Sequence, residues 1–184
     1  MPDESIAPPS VAVTDLLAQA GVPQTVETQN NGPIKIGPRW LSLEKLWKTD
    51  ETMTAHFALQ EQYRGSLQGY HAYPSLLDGA VNAANILHEG GFCLPFSYKK
   101  VTFFRNLPAS FYSKAQAYGE NHLQNKLFTY DVTLYTDEGE VIAQIEGYTL
   151  KKVEQVADVP CLLRKEIVGE LGHRLAYHMS IKKT

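Results

Sequence analysis

Residues 74 to 87 constrain this chain more than any other stretch. Leu76, Leu77, Ala80, Val81, Ala83, Ala84, Ile86 and Leu87 leave a helix there with almost no polar face. Such a helix is too apolar to lie on a surface and must be covered by other elements. Pro74 suits the first helical position, where its missing N–H is no loss, and Gly90-Gly91 supplies the stop. Asp78 is then predicted to fall in the first turn, where the helix macrodipole favours the anion and apolar burial opposes it. Two readings are open: a capping aspartate, or a titratable group placed for chemistry.

The flanking segments alternate as half-buried strands do. Leu41 to Trp47 and Thr52 to Leu59, with Met53, Ala55, Phe57 and Leu59 on one face, are joined by the turn Lys48-Thr49-Asp50-Glu51. A polar loop, Gln60 to Gly69, leads to the helix. Phe96 to Phe104 (closed off by Pro108), Ser113 to Tyr118, Leu127 to Tyr135 and Val141 to Val153 also have strand composition. The last two are joined through Thr136 to Glu140, where Gly139 suits a left-handed turn. The balance predicts an α+β fold in which an antiparallel sheet of six or seven strands wraps one long central helix. Residues 1–32 read as a flexible tail with a brief helix in the apolar patch Val13 to Ala20, and residues 33–153 as the domain. Residues 154–184, with a weak helical rhythm from Leu162 to Leu175, read as a C-terminal helix or tail.

Four short motifs follow one another: Gly37-Pro38-Arg39-Trp40-Leu41, Tyr73-Pro74-Ser75-Leu76-Leu77-Asp78 with Asn82 four residues later, Leu94-Pro95-Phe96-Ser97-Tyr98, and a closing hairpin ending Gly147-Tyr148-Thr149-Leu150. In this order and spacing the run over residues 32 to 153 resembles the C-terminal half of a polyketide synthase dehydratase domain. The resemblance implies a single hot-dog fold, one half of the double hot-dog that such dehydratases use.

Composition agrees with one domain. A chain of 184 residues with 43% hydrophobic content suffices for one core, not for two hot-dogs. A net charge of −3 with dispersed Lys and Arg gives no footprint for nucleic acid. Cys93 and Cys161 make neither a disulfide framework nor a zinc spacing, so both are expected as reduced thiols in a cytoplasmic protein, with no metal and no cofactor. The sequence holds no run of about 18 apolar residues, so no membrane span is expected.

Dehydration of a β-hydroxyacyl thioester needs a base for the α-proton and an acid for the departing hydroxyl, converging across the substrate. In the family these are a His from the N-terminal hot-dog and the Asp matching Asp78. None of His56, His71, His88, His122, His173 and His178 stands in the family's His-x-x-x-Gly-x-x-x-x-Pro pattern. Asn82 occupies the family's Gln or His position, where its amide can orient the carboxylate or hold the leaving water. Tyr73 replaces the usual His before Pro. The candidate catalytic residues are therefore Asp78, Asn82, Tyr73 and His71, with the Asp78 carboxyl expected to be enclosed at the helix tip.

Three explanations stay open. A second chain supplies the missing base for dehydration, or Asp78, alone or with Tyr73 or His71, drives double-bond migration, epimerisation or ring closure, or the chain is a catalytically silent binding or assembly module in which Asp78 is a cap. A free-standing thioesterase or hydratase on one hot-dog is a further alternative, opposed by the lack of a His close after Asp78. The expected partners are an acyl carrier protein presenting a phosphopantetheine-tethered substrate and a second hot-dog, as a homodimer or a related chain, because half a double hot-dog leaves an open sheet edge. Tyr98, Lys99 and Lys100 are candidates for meeting the acidic carrier, and solvated lysines are the plainer reading. His56 is expected to be exposed. Phe103, Phe104, Phe128 and Tyr130 are read as core, with an acyl tunnel as the alternative.

Overall fold

The computed structural model describes residues 10–26, 37–87, 92–117 and 126–153, apart from the side chains of Phe92 and Val153. The chain falls into two units, Met1–Lys152 and Val153–Thr184. The expected C-terminal helix, the Gly90-Gly91 stop, His88, His122, His173, His178 and Cys161 all lie outside the described residues.

The elements run in the order α1 (Val13–Ala18), β1 (Val22–Gln24), β2 (Leu43–Lys48), β3 (Thr52–Ala58), α2 (Glu61–Arg64), α3 (Pro74–Asn82), β4 (Phe92–Ser97), β5 (Lys100–Phe103), β6 (Ser110–Ala117), β7 (Leu127–Tyr135) and β8 (Val141–Val153). One sheet is ordered β1-β2-β3-β6-β7-β8-β4, with β5 also bordering β8. Among the described residues it holds eight strands rather than six or seven. The run expected as one strand breaks at Tyr98-Lys99 into β4 and β5. Val22–Gln24, placed in the expected tail, pairs with β2 as an edge strand, while Leu16 and Ala20 are buried.

The alternation in β3 is realised as expected. Met53, Ala55, Phe57 and Leu59 are all buried, Phe57 stacks on Phe111 at 5.6 Å, and Leu76, Ala80 and Ala84 pack into the same core. Ser113 Oγ donates to the Ala80 carbonyl at 2.9 Å, tying α3 to β6. The helix is shorter and less enclosed than its composition suggests: it tightens into a 3-10 turn over Ala83–Leu87, and Leu77, Val81, Ile86 and Leu87 are only half-buried. The sheet covers the side carrying Leu76, Ala80, Ala83 and Ala84 and leaves the other side open.

One irregularity in β8 matters for the site. Tyr130 pairs with Tyr148 and Val132 with Ile145, so Glu146 and Gly147 stand opposite the single residue Asp131. Gly147 has φ +61, a left-handed geometry that costs any residue with a Cβ, and its N–H donates to Asp131 Oδ1 at 2.7 Å. Strict alternation from Val141, Ala143 and Ile145 would send Tyr148 outward. The bulge shifts the phase by one and turns Tyr148 inward, toward α3.

Candidate active site around Asp78

Asp78 is the fifth residue of α3, and the first turn holds no acidic residue. The N-cap position belongs to Tyr73, and no side chain caps the helix. The capping reading of Asp78 therefore fails, and so does its placement in the first turn. Its carboxylate is used differently: Trp40 Nε1–H donates to Oδ2 at 3.1 Å and Asn82 Nδ2–H donates to Oδ1 at 2.9 Å.

Each partner has a local cause. Gly37-Pro38 opens a 3-10 turn over Pro38–Trp40, closed by Trp40 N–H to the Gly37 carbonyl at 3.0 Å, which brings the indole over α3. Asn82 lies one helical turn beyond Asp78 and shares its face. Tyr148, delivered by the β8 bulge, donates its hydroxyl to Asn82 Oδ1 at 2.8 Å. This fixes the amide: its oxygen meets the phenol and its N–H group the carboxylate, whereas the flipped amide would oppose two acceptors. Burial, reinforced by the charge of Asp78, pushes the Tyr148 phenol well above its ordinary range, so it stays a neutral donor.

The enclosure expected for Asp78 is not found. The residue is exposed, because it lies on the side of α3 turned away from the sheet. Tyr73 is buried but does not join Asp78. Its hydroxyl accepts from Arg39 Nη1 at 3.3 Å, and its ring meets Tyr70 edge-on at 5.4 Å. His71 is farther removed: its Nδ1 lies 2.6 Å from Asn106 Oδ1, beside a pocket of about 400 Å³ lined with Phe103, Phe104 and Arg105. Of the four sequence candidates, then, Asp78 and Asn82 come together, while Tyr73 and His71 sit in separate surroundings. Trp40 and Tyr148 were missed as site residues, although both lie in the quoted motifs.

His56 is not the exposed residue expected. Its side chain is 14% exposed, and its ring nitrogens face Glu44 Oε2 at 3.1 Å and Asp137 Oδ1 at 3.2 Å, with Ser110 Oγ also 3.1 Å from Nε2. Its ring packs against that of Tyr112 with centroids 4.7 Å apart and planes tilted by 50°, and none of its described hydrogen bonds reaches Asp78, Asn82, Trp40 or Tyr148. Lys100 pairs with Glu146 at 3.4 Å and Tyr98 is exposed. Phe128 and Tyr130 are core residues, but Phe103 and Phe104 are exposed. Cys93 is buried, and burial raises its thiol pKa. Among the described residues no group of His, Cys, Asp and Glu is arranged to hold a metal, and no helix is long and apolar enough to cross a membrane.

A family model described as Polyketide synthase dehydratase N-terminal domain matches residues 9–159. Polyketide synthase PksN of Bacillus subtilis (strain 168) is 24% identical over 129 residues, and Polyketide synthase GfsE of Streptomyces halstedii 25% over 125. These matches cover 64% and 65% of this chain but only 2% and 3% of those proteins. The crystal structure of a trans-AT PKS dehydratase domain from Brevibacillus brevis superposes with a TM-score of 0.72 at 20% identity, covering 81% of this chain and 55% of that one. The dehydratase domain from the CurF module of Curacin polyketide synthase gives 0.69 at 20% identity, over 84% and 56%. The fold is thereby the expected hot-dog.

Proposed function

The chain belongs to the polyketide synthase dehydratase family, and on that premise we propose that it is the aspartate-bearing half of a double hot-dog site acting on acyl thioesters carried by phosphopantetheine on an acyl carrier protein. The observation that carries the reading is a carboxylate held at both oxygens, by Trp40 and by Asn82, on an open face of α3. The assignment to the C-terminal half rests on the motif around Asp78, since the matching family model is described by the N-terminal domain.

In the proposed dehydration a base from the second hot-dog takes the α-proton, and Asp78 delivers a proton to the β-hydroxyl, which leaves as water. Asn82, oriented by Tyr148, holds the carboxyl in place and offers an amide to the departing oxygen. Exposure of Asp78 supports a second hot-dog over this face, because a carboxyl open to water shares its protons with solvent rather than with a substrate. Exposed Leu94, Phe96 and Tyr98 on β4 and its following turn, with Val101, Phe103 and Phe104 nearby, give the sheet an apolar flank where such a domain, a second copy or a related chain, can pack. A second reading, proton shuttling by Asp78 alone in double-bond migration, epimerisation or ring closure, is favoured by one observation: neither described histidine reaches the Asp78 group.

The test uses carrier-bound 3-hydroxyacyl and enoyl thioesters, with the protein in its native assembly and alone. Loss of water in the assembly supports dehydration, and an isomer of unchanged mass from the chain alone supports the second reading. In either case Asp78→Asn should lower conversion by about a hundredfold or more. Conversion unaffected by Asp78→Asn refutes both readings, and no conversion by the unsubstituted protein, alone or in its assembly, leaves a silent module.

A further inference from the structure

A pocket of about 170 Å³ opens beside Asp78, one helical turn nearer the start of α3, and is lined by Arg39, Trp40, Tyr70, Tyr73, Pro74 and Ser75. Trp40 is shared between the two sites: it lines this pocket, and its indole N–H is committed to Asp78. We propose that this pocket is an anion subsite, and that it takes a carboxylate carried on the acyl substrate.

Three features converge on that chemistry. Arg39 is held in position rather than waving in solvent: its guanidinium lies over the Tyr63 ring at 5.2 Å from the centroid, and Nη1 donates to Tyr73 Oη at 3.3 Å. Among the described residues no carboxylate pairs with it, and its remaining N–H donors suit a two-oxygen acceptor. The nine-residue helix α3 begins at the pocket wall with its positive end; Pro74 has no N–H and Leu76 and Leu77 donate to the Tyr73 carbonyl at 3.1 and 3.0 Å, so the helix offers an anion its dipole and at most the Ser75 N–H. Ser75, only 3% exposed, keeps its Oγ buried without a hydrogen-bond partner in that same wall. A buried hydroxyl left unsatisfied is costly, and an oxygen acceptor in the pocket gives it a partner after a rotation about χ1.

Among the described residues no acidic one lines the pocket. Asp78, which Trp40 holds through its indole N–H, opposes an incoming anion, and the Arg39 guanidinium in the pocket wall offsets it. The volume admits a few non-hydrogen atoms, enough for a carboxylate and one or two carbons but not for a pantetheine arm. The anion site stands on Arg39, Ser75 and the helix terminus alone. Its assignment to the substrate rests on the acyl-thioester reading above.

The two parts are tested separately. The chain has two tryptophans, and Trp47→Phe leaves Trp40 as the sole indole reporter in the pocket wall. Acetate titrated at constant ionic strength into this protein should change Trp40 emission saturably. Arg39→Gln should abolish the response, Arg39→Lys should keep a weakened one, and Ser75→Ala should lower affinity severalfold. A non-saturable response, or one that survives Arg39→Gln, overturns the anion site. Glutaryl-pantetheine should then bind at least about tenfold more tightly than pentanoyl-pantetheine, and Arg39→Gln should remove the difference. Equal binding of the two thioesters overturns the substrate assignment. Asp78→Asn separates this inference from the proposed function: it should abolish conversion while leaving acetate binding intact or tighter.

Discussion

The Tyr148–Asn82–Asp78 chain predicts a substitution whose effect on stability changes sign with its background. Tyr148→Phe removes one hydroxyl and nothing else. The ring stays buried, and only the 2.8 Å bond to Asn82 Oδ1 is lost. Asn82 is half-buried, so water can reach the freed oxygen, and the cost should be about 0.5–1.5 kcal/mol. Asn82→Ala should cost more. It removes the amide from the Asp78 carboxylate and strands the phenol of Tyr148, which is 5% exposed, at a penalty of about 1–3 kcal/mol for the orphaned hydroxyl. In the Asn82→Ala background, Tyr148→Phe deletes that orphan and should stabilise the protein. Urea denaturation of the four proteins measures the cycle, provided the slope m is unchanged, and the coupling should be about 1 kcal/mol or more. In the activity assay, Tyr148→Phe should slow conversion about tenfold without weakening thioester binding, because the amide loses the bond that orients it. Tyr148→Phe costing the same in both backgrounds would refute the relay and leave Tyr148 as a core aromatic.

Two further outcomes follow from the same region. Burial raises the phenols of Tyr130 and Tyr148 above their ordinary value of 10.0, so the folded state holds their protons more tightly than the unfolded chain does. Their contribution to stability is complete below about pH 10 and falls as pH rises beyond it, at up to about 1.4 kcal/mol per pH unit for each phenol still protonated in the fold; urea melts of Tyr148→Phe should show a shallower alkaline decline, and an identical slope counts against the assignment. Gly147→Ala should destabilise by about 1–2 kcal/mol, since φ +61 penalises a Cβ and the added carbon would lie 2.7 Å from Lys99 Cγ. Gly147→Asn should cost less than Gly147→Ala, and thermal melts showing the reverse order would reject the left-handed bulge as the cause.

How much of this was legible in the sequence depends on the element. The alternation of β3 named its buried face correctly, because period 2 maps directly onto the two sides of a sheet. The division between β4 and β5 was not legible, since Tyr98 and Lys99 are ordinary strand residues and the break depends on how two segments share the edge of β8. Tyr148 was hidden by the same rule that succeeded in β3: counting in twos from Val141 sends it outward, and only a bulge reverses that. Gly147 was the available cue, as a glycine inside a β-branched run marks a bulge or a close approach.

The misplacement of Asp78 is the more instructive case, because the information was present and composition obscured it. Counting apolar residues between 74 and 87 gives a helix that seems to need burial all round. Laying them on a helix at about 100° per residue gives a different answer. Leu76, Ala80, Ala83 and Ala84 fall on one side, and these are the residues the sheet buries. Asp78 stands about 200° from Leu76, nearly opposite, and Asn82 follows it at the i+4 spacing. The chain therefore encodes a greasy side that anchors the rod and a narrow polar strip on its reverse. A carboxylate on that strip is held by Trp40, from a turn far away in sequence, on one oxygen and on the other by the amide of Asn82, one helical turn on, which Tyr148 of β8 orients. A cap would need neither partner. A carboxylate held at both oxygens, with one of its partners fixed in turn from β8, has more fixed partners than a helix end needs, so testing Asp78→Asn in the native assembly bears on the proposed function more directly than any measurement of the fold.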